Sequence, residues 1–110
     1  MHNQGMSGID YARRTAALDH VSQALILLER VQIRWWRFAD TAPLANEAVP
    51  IEMILRTAKN LLTKPTDARA ADTARMLPAV VMALRKIKRD ELRPVIEKTQ
   101  AALEALFDRQ

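Results

Sequence analysis

A chain of 110 residues with 49% hydrophobic and 27% charged side chains has room for one domain with a modest core, which excludes a wholly disordered or low-complexity protein. The absence of cysteine excludes disulfides, thiolate metal sites and cysteine nucleophiles, and the only two glycines, Gly5 and Gly8, leave the rest of the chain without the residue that primed hairpin turns require. The formal charge is +4 but uneven: residues 1–55 carry five Lys/Arg against six Asp/Glu, and residues 56–110 carry twelve against seven, so contact with nucleic acid or another anionic partner is admitted only by the second half.

Ala, Leu, Arg, Lys and Glu dominate, and all are strong helix formers. The expected fold class is therefore all-α. Residues 1–7 read as a disordered N-terminal tail, with no charged and apolar signal-peptide pattern, ahead of a single domain over 8–110. Ser7 and Asp10 give a weak N-cap signal, and a first helix is predicted from about Ile9 to Ala39. Leu18, Val21, Leu25, Leu28, Gln32, Trp35 and Ala39 alternate spacings of three and four, as in a coiled-coil seam. Ala17, Ala24, Val31 and Phe38 form a stripe beside it, while Ile26, Ile33 and Trp36 lie off both. Ten of the fifteen residues from Ala24 to Phe38 are apolar, an apolar helix of the kind shared between subunits or placed centrally. Glu29, Arg30, Arg34 and Arg37 interrupt that run and exclude a membrane span.

Residues 40–50, with Pro43 and Pro50, read as a loop, with Pro50 in the first turn of a second helix running to about Thr63. Its face is Ile51, Ile54, Leu55, Ala58, Leu61 and Leu62. A turn at Lys64–Asp67 follows, with Thr66 as N-cap. A third helix starts near Asp67 with Ala70, Ala71, Ala74, Leu77, Val81, Leu84 and Ile87 on one face, and Pro78 predicts a kink or break near Met76–Leu77. The last segment runs from about Glu91 to Asp108 on Leu92, Val95, Ile96, Thr99, Leu103, Leu106 and Phe107. Its stripe is out of phase with that of the third helix by roughly 70° at 100° per residue. A break at Arg89–Asp90 with Asp90 as N-cap and Pro94 in the first turn is expected, a single kinked helix over 67–108 being the alternative. The architecture expected is an antiparallel three- to four-helix bundle with a long apolar first helix, oligomeric through that helix.

The residues do not suggest catalysis. The histidines are His2 and His20, and Asp19 next to His20 points away from it on a helix. Glu29, Glu52, Glu97 and Glu104 have no histidine at the spacing a bundle metal site needs, and no phosphate loop, HExxH or nucleophile elbow is present. No enzyme, cofactor or metal is expected, and a helical enzyme with its site at a subunit interface is the least favoured class. Arg34-Trp35-Trp36-Arg37 is the sharpest local feature. Neighbouring tryptophans on a helix lie ~100° apart, so both cannot face one core centre. Leu28, Trp35, Trp36 and Phe38 are the candidates for a partner or oligomer interface, Trp36 foremost. Arg85, Lys86, Arg89 and Arg93, with Lys88 among them, form the densest basic cluster and are the candidates for phosphate binding. Together these features point to a small, non-enzymatic helical-bundle interaction protein, an adaptor, assembly factor or chaperone, that self-associates and binds a partner protein. The alternative is a nucleic-acid-associated accessory or regulatory protein using the basic helical stripe. The lack of cysteine and of a leader suggests the cytoplasm, and the alanine- and arginine-rich composition a bacterial source.

Overall fold

Alanine- and leucine-rich runs separated by short polar joints fold into four helices: α1 (His2–Trp36), α2 (Ala42–Leu62), α3 (Asp67–Ile87) and α4 (Arg93–Phe107), the last entered through a 3-10 turn, Asp90–Leu92. The computed structural model describes residues 2–63 and 67–107, with side chains over 11–63 and 72–107. No strand occurs among the described residues. Each helix packs on its chain neighbours and α4 closes against α1, so the short joints produce an up-down-up-down bundle. The 35-residue α1, ~52 Å at ~1.5 Å per residue, sets the 58 Å long dimension.

The core follows the boundary between the two stripes expected on α1. Ala17, Val21, Ala24, Leu28, Val31 and Trp35, spaced four and three, are buried, with Leu25 and Gln32 on one flank. Leu18, at the N-terminal end of the first stripe, is only partly buried and packs against the edge of this core. Opposite them lie Ala45, Ala48, Ile51, Leu55, Ala58 and Leu62 of α2, Leu77, Val80 and Leu84 of α3, and Leu92, Val95 and Ala102 ahead of and along α4.

Several boundaries differ from the sequence reading. Helical backbone runs from His2, through residues 2–7 expected as tail, so Ser7 lies inside α1; adding turns to an existing helix avoids the nucleation cost that an isolated segment would meet. The C-terminus of α1 comes at Trp36 rather than Ala39. Phe38 instead joins a tight turn in which the Ala42 N–H donates to the Phe38 carbonyl at 2.9 Å and the Thr41 hydroxyl donates to the Trp35 carbonyl at 2.8 Å. That hydroxyl satisfies one of the carbonyls orphaned at the end of α1. α2 begins at Ala42, so most of the predicted loop is helix. Pro43 occupies its first turn and Ala45 and Ala48 extend the buried face of Ile51 by one turn.

Pro50 therefore lies well inside α2, on its exposed side. The N–H it lacks would have reached the carbonyl of Asn46, and both residues are exposed, where a missing helix bond costs less than in the core. Pro50→Ala is expected to stabilise the fold by about 1–2 kcal/mol, the ~3 kcal/mol helix-interior penalty less the entropy proline removes from the unfolded chain. The urea midpoint should rise, and a fall would show that α2 does not run unbroken through this position.

α3 likewise runs through Pro78 without a break at Met76–Leu77. Pro78 is exposed, so its ring and missing N–H fall on the solvent side of the helix while Leu77 and Val80 stay fully buried. The break expected between the third and fourth helices is present, one residue early. Lys88 takes a left-handed φ of 59° and Arg89 is extended, φ −123° and ψ 131°. Asp90 falls inside the 3-10 turn instead of capping it, and Arg89 occupies the cap position without a side-chain cap bond. The predicted turn and N-cap at Thr66 lie outside the described residues.

Candidate interaction surfaces

The two tryptophans of α1 do different work. Trp35 faces inward and is 2% exposed, while Trp36 faces outward and is 49% exposed. Leu28 is fully buried. Leu28 and Trp35, taken from the sequence as partner contacts, are thus core residues of this chain, because the seam that carries them is filled by α2, α3 and α4. Trp36 and Phe38 remain exposed.

Beside Trp36, α1 and α2 leave an apolar strip. Ile26 and Ile33 are exposed on α1, and Val49 and Met53 one turn apart on α2. Ile33 is the crest, 57% exposed. On one side it lines a notch with Trp36, Val49, Gln32, Glu29 and Glu52, and on the other a notch between α1 and α4 with Leu27, Arg30, Val31, Arg34, Glu91 and Pro94. The strip therefore has a carboxylate edge toward α2 and an arginine edge toward α4. Arg56 bonds both Glu29 and Glu52, pinning α2 to α1 along the acidic edge. Ile26 and Ile33 were legible as residues off both stripes; Val49 and Met53 were not, because their stretch read in part as loop.

At the end of the bundle Trp35 is clamped to the α3–α4 joint. Its indole Nε1 donates to a Glu91 carboxylate oxygen at 3.3 Å, and the Arg89 guanidinium sits 5.9 Å from the centre of its ring. Arg89 in turn grips Glu91 with two bonds, Nε to Oε1 at 3.1 Å and a terminal nitrogen to Oε2 at 3.0 Å. The bonds from Arg89 hold the Glu91 carboxyl down at about 2; burial is the next-largest influence and opposes them, while a backbone bond and the Trp35 indole help to lower it. A carboxylate whose folded pKa is lowered contributes stability at neutral pH and loses it as pH falls through that folded value. Unfolding midpoints of the native protein are therefore expected to fall between pH ~4.5 and ~2. Glu91→Gln should flatten that part of the profile. An unchanged acid limb would remove Glu91 from the account.

The basic cluster is rearranged by the joint. Arg85, Arg89 and Arg93 do not stack on one helix, since α3 ends at Ile87. Instead Arg85, Lys88, Arg89 and Arg93 surround a groove of about 510 Å³ between α3 and α4, with Leu84 and Ile96 at its base and Asp90, Glu97 and Gln100 completing it. Lys86 is exposed but does not line it.

The Asp19 carboxylate accepts from the Gln23 amide at 2.9 Å rather than from His20, so the two do not form a dyad. His20 is partly packed, its Nδ1 buried without a hydrogen-bond partner. No helix is long and apolar enough to cross a membrane, and no cluster of metal-ligating side chains occurs among the described residues. Comparison with protein families, curated proteins and solved structures finds no match to this chain.

Proposed function

We propose that this chain is a small, non-enzymatic interaction protein that self-associates through the apolar strip of α1 and α2 and serves a partner protein as an adaptor, assembly factor or chaperone. The observation that carries this reading is the crest at Ile33. A large aliphatic side chain stands more than half exposed on the side of α1 opposite the core, with Trp36 and Val49 beside it. Clustered exposed apolar side chains with charged borders are the mark of an association surface. The charged borders also fit a second copy. When two strips meet about a two-fold axis running along α1, the Glu29–Glu52 edge of one copy opposes the Arg30–Arg34 edge of the other.

Light scattering coupled to size exclusion tests the reading. The native chain is expected to elute as a dimer or larger species, and Ile33→Glu as a folded monomer. A native monomer at ~100 µM would remove self-association from the function.

A further inference from the structure

The groove between α3 and α4 lies on the face of the bundle opposite the apolar strip, since α1 and α2 form one side and α3 and α4 the other. Its four cations are not equivalent. Arg89 is committed to Glu91 and to the Trp35 ring, so it belongs to the fold. Arg93 meets Asp90 at 3.3 Å, but both side chains are largely exposed, and an exposed pair of this kind holds its partners only weakly. Arg85 and Lys88 have no ion-pair partner among the described residues. Three cations are thus available around one groove: one on the last turn of α3, one at the left-handed joint and one on the first turn of α4. The opposing carboxylates in the groove are Asp90, already turned to Arg93, and Glu97.

We infer that this groove binds the phosphodiester backbone of duplex nucleic acid through Arg85, Lys88 and Arg93, without reading sequence. Arginine forks and a lysine ammonium are the donors that phosphate oxygens take. Among the described residues no aromatic side chain lines the groove, which disfavours stacking of the open bases of a single strand there. The apolar base is also recessed, with Leu84 fully buried, so nothing there inserts into a lipid surface. Three phosphate contacts set the expected behaviour. The salt dependence should have a log–log slope of about −2.7, so affinity drops roughly 40-fold between 50 and 200 mM salt.

The test is fluorescence anisotropy of a labelled mixed-sequence DNA duplex with the full-length protein, in a titration repeated at several NaCl concentrations. Binding at 50 mM NaCl with that slope is the expected result. The Arg85→Gln/Lys88→Gln double variant replaces two exposed side chains and should retain native circular dichroism while the slope shrinks to about −0.9, one contact. Lys86→Gln, outside the groove, should leave both the slope and the circular dichroism at their native values. The proposal is overturned by no binding at 50 mM NaCl, by binding that the double variant leaves unaltered, or by tighter binding of polyglutamate or of anionic vesicles than of the duplex. Because Ile33→Glu leaves the groove intact, duplex binding by that monomer separates this site from the fate of the self-association surface.

Discussion

Replacing Trp35 with alanine is expected to cost about 3–5 kcal/mol of folding stability, the range for removing a buried aromatic side chain. Domains of this size hold only ~5–15 kcal/mol in all, so the variant should unfold at markedly lower urea and lose much of its cooperativity margin near 37 °C. The magnitude follows from position. The ring is almost wholly buried at the end of α1, where α1 meets the joint between α3 and α4, and its loss leaves the Arg89–Glu91 pair without the surface it covers. Trp35→Phe separates the two components. It keeps most of the apolar area and gives up the Nε1 bond to Glu91, so a loss of roughly 1 kcal/mol beyond the small volume change is expected. Leu28→Ala, at mid-helix, should cost about 2–5 kcal/mol. Urea unfolding followed by circular dichroism checks all three, and a Trp35→Ala cost below 1 kcal/mol would show that Trp35 does not close the core.

What the sequence discloses about this fold is what depends on local periodicity. The glycine-poor composition and the three-and-four spacing of α1 suffice for an all-helical bundle, and the 70° phase difference between the stripes is enough to foresee that α3 and α4 are separate helices. The misreadings within α2 and α3 share one cause. Proline was taken as punctuation, but Pro50 and Pro78 both sit on exposed helix faces, where the missing N–H costs least and the buried contacts of Ile51 and Leu77 carry the helix through. Small residues hid the rest of α2. Ala45 and Ala48 are its fully buried anchors against α1, and alanine spaced at three is a faint signal beside two prolines.

The interaction surfaces were half legible for a related reason. Periodicity separates a helix's faces but does not say which face its own chain will cover. Leu28 and Trp35 are as apolar as Ile33 and Trp36, and only the packing of α2, α3 and α4 decides that the first pair is core. The basic cluster was visible as composition, yet its sorting into a structural Arg89 and an available Arg85, Lys88 and Arg93 depends on Glu91 and on the left-handed turn at Lys88, which no helical wheel contains.

The same contrast between adjacent residues gives the second large expected effect. Ile33→Glu or Trp36→Glu should convert a self-associated native protein into a monomer while leaving its circular dichroism and urea midpoint near native values. Both side chains contribute to the exposed strip, and neither belongs to the buried core that holds Leu28, Val31 and Trp35. Burying a carboxylate at the centre of an apolar contact is opposed by its desolvation. A two-fold interface places the change in both copies at once, so even a hot-spot loss of ~2 kcal/mol per copy weakens association by roughly 10³-fold. Trp35→Phe is the matched control from the neighbouring position. It should lower the urea midpoint and leave the oligomer unaltered at concentrations where the fold persists. If the Trp36 and Ile33 variants instead lost stability and kept their mass, the exposed strip would belong to the fold, and association would have to be sought elsewhere on the bundle.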